Sequence, residues 1–523
     1  MTTAVDVPIT TGHRSGVLSV LAILVLWEIA GRGLSGAYVL AAPSEVVLYL
    51  LNNTGLMARA LGVTLGNAVL GFVIGNLAAV LLAMVAVLLP RSQRLVTGLA
   101  LVVFCLPLVA TGPILRVVLG PGNGPQIVLA ALAVYYTTLI PLLVGLRAVP
   151  TSWFDLVRSY GRGRLAVLVH VRARASLPYL FAGLQIAAPA AFLGAMVGEF
   201  TGAERGMGVL TIRAMRALDV PMTWALASVA TAVAITAYVA IGWIARRVLL
   251  AEPPVILAAP AIRKRSMGVA VRDSALVIAA ALALWWGALA LSGLSVFFAK
   301  GPGEVFHALV LAGDAAATRA SLLGALAETA VFLIPGYGAG LAAGAALAVV
   351  LVLAPTVAGG IMPLAIALRS VPIVTTAPLV VLLLGRGAVG TITLVAIMVF
   401  FPTFVACLHG LRQAPGQVMD VMKSYAAGPV TRLVRVQVPA MLPAFFAAAR
   451  MNVPASILAV TVVEWLSTGN GIGSLMALSA SVSDYDMLWS AVVLVTAVSA
   501  LGYGAVGWVE TRVLRTYAPE QLA

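Results

Sequence analysis

Few side chains in this sequence could perform covalent chemistry. His13, His170, His307 and His409 share no ligand spacing with one another or with cysteine, so no metal site is expected. Cys105 and Cys407 fall in separate apolar stretches and read as two buried thiols, not as a disulfide framework. The three lysines, Lys264, Lys300 and Lys423, follow Arg263, Ala299 and Met422, so no G-x-x-x-x-G-K-[ST] phosphate loop is present. What remains is non-covalent chemistry from acids, prolines and glycines. Asp155 and Asp420 sit in polar loops beside Arg158 and Lys423. Pro107, Thr111 and Pro113, and again Pro372, Thr375, Thr376 and Pro378, interrupt apolar stretches. Glu199 and Glu464 precede the glycine pairs Gly206 and Gly208, and Gly471 and Gly473.

These groups come in pairs because the chain is written twice. From residue 64 onward the halves align at a constant shift of 265: Thr64 with Thr329, Gly71 with Gly336, Pro107 with Pro372, Pro113 with Pro378, Asp155 with Asp420, Glu199 with Glu464. Before residue 64 the shift is 258 or 259, as in Trp27 with Trp285 and Pro43-Ser44-Glu45 with Pro302-Gly303-Glu304. A shift held this long implies duplication and fusion.

The elements that must carry these residues are membrane helices. Of 523 residues, 62% are hydrophobic and 10% charged, against about a quarter charged in soluble chains. Apolar runs long enough to span a bilayer, roughly 20 residues, are predicted at 17–31, 61–89, 95–119, 126–146, 178–198 and 224–245. A second set follows at 274–294, 325–353, 358–384, 389–411, 443–464 and 487–509. The fold class is all-α polytopic, with about 12 transmembrane helices in two parallel six-helix repeats, residues 1–245 and 274–523, joined by a basic linker at 246–273. The apolar stretch after His13 and Arg14 superficially fits a signal peptide, but its recurrence inside the chain favours a retained first span. The net charge of +14 is spread over short loops, which argues against a nucleic-acid face. With both termini and the linker cytoplasmic, about 21 of the 32 Lys and Arg fall inside, as the positive-inside rule requires.

The loops between the fourth and fifth spans are the longest besides the linker. Pro150-Thr151-Ser152 reads as a helix start, and Ser152 with Asp155 fits a capping box that would place Asp155 at the positive helix end. The paired prolines of the third span free backbone carbonyls at membrane depth, tolerated where backbone is buried or lines a cavity, and so mark a candidate pathway. Arg369, three residues before Pro372, is either an anchor at the cytoplasmic end of that span or a charge in the pathway. Glu199 and Glu464, at the outer ends of the fifth spans, are candidates for an outer gate or a protein dock, with a solvated helix end as the simpler alternative. Gly62-x-x-x-Gly66, Gly71-x-x-x-Gly75 and Gly336-x-x-x-Gly340 predict close helix contacts within the chain.

The paired loops resemble the EAA loop of ABC-type importer permeases, in which an acid and a glycine six positions later mark a coupling helix. Asp155 with Gly161 has this spacing; Asp420 lands on Ala426. The Leu-Arg-x-x-Pro segment, Leu177-Pro178 and Leu442-Pro443, and the Glu199-Phe200-x-Gly202 stretch are similar to nitrate, taurine and alkanesulfonate permeases. Departures are the aspartates in place of glutamate, Leu156-Val157 and Val421-Met422 in place of two alanines, and Ala173-Arg174 where the second copy keeps Val438-Pro439. The resemblance implies a cell-membrane permease with no cofactor of its own. It further implies two cytoplasmic ATPase subunits that bind ATP and Mg, and an extracytoplasmic binding protein delivering a small solute such as nitrate, a sulfonate, a pyrimidine precursor or an aromatic acid. The alternative is an ion-coupled secondary transporter with two six-helix halves, for which Glu28 is the main mid-span acid and Glu328 lies at a span end.

Overall fold

A computed structural model describes residues 13–34, 36, 40–148, 151–249, 267–354, 380, 383–385 and 387–517. Among these residues the regular structure is entirely helical. The first copy comprises α1 (His13–Gly33), α2 (Pro43–Asn52), α3 (Thr54–Leu88), α4 (Gln93–Phe104), α5 (Leu108–Leu119), α6 (Gly124–Gly145), α7 (Thr151–Ser159), α8 (Ala173–Phe200), α9 (Met207–Ala217) and α10 (Val220–Val248). The second comprises α11 (Met267–Ser292), α12 (Pro302–Phe306), α13 (Ala315–Leu353), α14 (Ala388–Arg412), α15 (Gly416–Ser424), α16 (Val438–Val463), α17 (Gly471–Ser481) and α18 (Tyr485–Tyr517).

Nine described helices are long and apolar enough to cross a membrane, or ten with α4–α5 counted as one broken span. With α1, which carries Arg14, Glu28 and Arg32, they cover eleven of the predicted spans; the twelfth, at 358–384, lies almost wholly outside the described residues. Several helices overrun their apolar limits. α3 begins at Thr54 and α13 at Ala315, because backbone hydrogen bonding continues the helix past the hydrophobic boundary.

Each copy is built around its fourth span. Leu129, Ala130, Val134 and Leu139 of α6 are fully enclosed between α3 and α8. A side chain at Gly71 would meet the Ala130 Cβ at 2.3 Å, and one at Gly75 the Ala131 carbonyl at 2.5 Å. The second copy repeats this with Gly336 against the Ile392 carbonyl (2.9 Å) and Gly340 against the Ala396 carbonyl (2.6 Å). Where lipid is as apolar as the side chains, such close backbone approach is what holds helices together. Gly62 and Gly66 depart from the expectation: both face open space.

Aromatic pairs tie the first span of each copy to its last, Trp27 to Trp224 at 5.3 Å and Trp285 to Trp489 at 5.5 Å. α2 and α12 start alike. Proline at the first helical position is followed by Glu45 or Glu304, whose carboxylate accepts from the Ala42 amide (3.0 Å) or the Gly301 amide (2.9 Å). The copies interlock through the broken span. Ala110 and Ile114 of α5 share an apolar cluster with Val453, Ile457, Ile472 and Met476. Val109, Val197 and Phe200 pack with Leu394, Val395 and Val460. On the flank, Gly98 of α4 receives Val277 of α11, and Arg94 pairs with Asp273 at 2.8 Å.

Candidate functional site

Three paired features could do work, and the first is the pair of short exposed helices α7 and α15. Asp155 and Asp420 are each the fifth residue of their helix, so neither lies in the first turn. Ser152 lies inside α7 instead of before it, and α15 starts from Pro415 with no side-chain cap. Proline, with its fixed φ, suits a helix start on its own. Asp420 instead pairs with Lys423 at 3.1 Å on the exposed helix surface. The Arg158 side chain lies outside the described residues. Trp153, Tyr160, Val418, Val421 and Tyr425 are all exposed, and no residue of α15 is buried.

Both helices end the same way. Gly161 has φ +71° and Ala426 φ +52°, and the next amides, Arg162 and Ala427, donate back to the carbonyls of Val157 (3.3 Å) and Met422 (3.0 Å). Here the second copy places alanine in a left-handed turn that glycine fills without strain. Behind each helix the chain enters the fifth span through a π-helical turn, Leu168–Arg172 or Leu433–Gln437. The Arg172 guanidinium lies 4.6 Å over the Phe154 ring, which anchors α7 to this turn.

The second feature is the broken third span. α4 and α5 meet at 96° across Cys105, Leu106 and Pro107. Pro107 begins α5 and Pro113 lies within it. Thr111 is buried, and its hydroxyl bonds its own turn at the Leu108 carbonyl (2.9 Å). Phe104 stacks on Tyr136 at 4.2 Å beside the bend. Arg369, Pro372, Thr375, Thr376 and Pro378 lie outside the described residues.

The third feature is a buried acid that holds a helix start. Glu199 is 1% exposed; its Oε1 accepts from the Thr64 hydroxyl (2.7 Å) and its Oε2 from the Gly208 amide (2.7 Å). The Met207 amide donates to the same threonine oxygen at 2.8 Å. One acid and one threonine thereby satisfy two of the amides left open where α9 begins. A Cβ at Gly206 would sit 2.2 Å from the Glu199 carboxyl carbon, and φ there is +137°, so glycine is required twice over. In the second copy the Gly473 amide donates to Glu464 (2.8 Å) and the Ile472 amide to Thr329 (2.9 Å). A further acid, Glu328, accepts from the Gly471 amide at 2.9 Å. Neither Glu199 nor Glu464 is a solvated helix end.

Sequence reasoning singled out these acids and glycines but missed their joint purpose, because Thr64 and Glu199 are 135 positions apart. The available signal was that Thr64, Glu199, Gly206 and Gly208 all recur at one shift. It also missed the ion pair of Arg450 and Glu510 (3.1 Å), both largely enclosed, and a cleft of about 620 Å³ lined by Lys300, Glu304, His307, Asp314, Asp484 and Asp486 beside the start of α18. Glu28 is held at one end of α1 by Arg32 (2.7 Å) and by the backbone and hydroxyl of Ser44. The described residues contain no cluster of three or more potential metal ligands.

Residues 71–250 and 336–515 each match the family model described as binding-protein-dependent transport system inner membrane component. Among similar proteins is a probable ABC transporter permease of Haemophilus influenzae, 28% identical over 43% of this chain and 92% of its own length. The riboflavin transport system permease of Chloroflexus aurantiacus is 27% identical over 44% of this chain and 87% of its own. The taurine transport system permease of Escherichia coli is 23% identical over 43% and 82%. Each relative is thus nearly spanned by less than half of this chain, the proportion expected if one relative corresponds to one copy.

Proposed function

This chain belongs to the family of binding-protein-dependent transport system inner membrane components, which it contains twice, and from that premise we propose that it supplies both membrane halves of an ATP-driven importer. Two cytoplasmic ATPase subunits, holding ATP and Mg, dock on α7 and α15 around Asp155, Arg158 and Gly161, and around Asp420, Lys423 and Ala426. A binding protein delivers a small solute at the opposite end, where Glu199, Gly206 and Gly208, with Glu464, Gly471 and Gly473, shape the mouth. The solute passes along the broken third spans, marked by Pro107, Thr111 and Pro113 and by Arg369, Pro372, Thr375, Thr376 and Pro378. Both termini and the 246–273 linker are cytoplasmic in this reading.

The observation that supports it best is the matched pair α7 and α15. Two nine-residue helices leave apolar and aromatic side chains exposed, turn back through left-handed residues, and lead through π-helical turns into the fifth spans. Exposed apolar patches rimmed by charge suit protein docking. A helix seated on an ATPase can pass its displacement through Arg172 and Phe154 to the span above. An ion-coupled transporter has no need of such a pair. The test is ATP hydrolysis by the purified chain, alone and reconstituted with its ATPase subunits, binding protein and solute. The chain alone should be inactive, and Asp155→Ala with Asp420→Ala should lower solute-stimulated hydrolysis or complex assembly at normal expression. Wild-type coupling in the double variant would make these helices mere connectors.

A further inference from the structure

Glu464 has an oxygen with nothing to bind. Its side chain is buried, 2% exposed, and while Oε2 accepts from the Gly473 amide, Oε1 has no hydrogen-bond partner among the described residues. The Thr329 hydroxyl donates to the Ala325 carbonyl (3.1 Å), as Thr64 does to Ala60 (3.2 Å), and it stands beside Glu464 without the direct 2.7 Å bond that Thr64 gives Glu199. A second carboxyl stands beside it. Both acids touch Gly471, whose amide donates to Glu328 Oε2 at 2.9 Å and whose Cα side faces Glu464 Oε1, 2.2 Å from where a Cβ would be. Of the charged side chains on α13, α14, α16, α17 and α5, Glu328 is the one that acts on Glu464. Two neighbouring carboxyls do not readily ionise together, and a buried carboxylate with an unpaired oxygen is costly.

In the first copy the corresponding acid stands alone and is fully partnered. Both oxygens of Glu199 are satisfied, and the place of Glu328 is taken by Val63. We propose that Glu328 and Glu464 together form a binding site for one proton, carried on the Oε1 side of Glu464 and exchanged through Glu328, which is exposed where Glu464 is not. With the proton bound, the pair carries a single negative charge at the start of α17, where helix amides favour it. With the proton lost, two like charges flank Gly471 and the anchorage of α17 weakens. The site is therefore a device of the second copy alone, independent of whether α7 and α15 dock ATPases.

Infrared difference spectroscopy of the full chain in lipid nanodiscs, stepped in pH, tests this without any partner subunit. The wild type should show a titrating protonated-carboxyl component that is lost in Glu464→Gln and kept in Glu199→Gln, which removes only its own buried acid's component. Glu328→Val installs the first copy's residue on an exposed face, so it should fold. Its proton should be lost at a pH about one unit or more lower, since the like charge is gone. Three results would overturn the proposal: a difference spectrum unchanged by Glu464→Gln, a titration unmoved by Glu328→Val, or one displaced by sodium at constant ionic strength, which would make the pair a metal-cation site.

Discussion

The same threonine is satisfied from opposite sides in the two copies. Thr138 on α6 donates to Asn76 of α3 at 2.5 Å. Its counterpart Thr403 on α14 accepts from Asn452 of α16 at 3.0 Å. The corresponding positions are Leu341 in the second copy and Ala187 in the first. The fifth and sixth spans differ likewise. Arg450 pairs with Glu510 in the second copy, whereas the first has Gln185, whose amide reaches the Tyr238 carbonyl at 3.4 Å, and Ala245. The close-contact glycines Gly71, Gly75, Gly206 and Gly208 recur at the shift of 265 as Gly336, Gly340, Gly471 and Gly473, while polar groups have been exchanged among helices and the close-contact glycines Gly194 and Gly198 become Ala459 and Val463. A glycine stays where the facing backbone or carboxyl keeps its distance in both copies, and a buried donor needs only some acceptor within reach.

The strongest way to break this comparison is to leave a charge alone in the second copy. Glu510→Ala strands Arg450 inside a span and should cost about 3–5 kcal/mol, seen as a large drop in the Tm of the purified chain. Gln185→Arg should harm the first copy comparably, and adding Ala245→Glu should restore much of the loss. Failure of that rescue would mean the copies are not interchangeable at this interface. Next come Gly206→Ala and Gly471→Ala, which force a methyl group against a carboxyl at positive φ. Each should lower stability by about 1–3 kcal/mol, and equal effects would show that the two locks share one geometry. Removing Asn76 or Asn452 by substitution with leucine or alanine should cost about 1 kcal/mol each, since interhelical hydrogen bonds in membranes are modest. Pairing Asn452→Ala with Leu341→Asn, which copies the first half's solution, should recover most of it. The smallest change is a gain: Ala426→Gly relieves a left-handed alanine and should raise stability by roughly 0.5–1 kcal/mol, read as a small rise in Tm.

Much of the fold was legible without a structure, and the reasons differ by element. Apolar length alone located the spans that the described residues cover, because a bilayer demands it of any helix. Pro107 marked the bend because a proline cannot donate to the preceding turn. Gly71, Gly75, Gly336 and Gly340 were read as contact points and are. Gly62 and Gly66 have the same spacing but face nothing, since spacing states which side of a helix is small and not what lies opposite. Asp155 lies two residues further into its helix than expected for a similar reason: a Ser-x-x-Asp pattern permits a cap, yet the helix is already formed at Thr151.

By itself the sequence determined the all-helical membrane fold, the twofold repeat and the absence of a nucleotide loop, all of which follow from composition and local chemistry. Only the tertiary structure decided which polar groups meet. Thr64 and Glu199, Glu328 and Gly471, and Arg450 and Glu510 come together across 135, 143 and 60 positions. No periodicity links them. They share one cause: a polar group that its own helix turn cannot satisfy, as the Leu108 carbonyl satisfies Thr111, takes its partner from a neighbouring helix, and the packing of the spans chooses that neighbour.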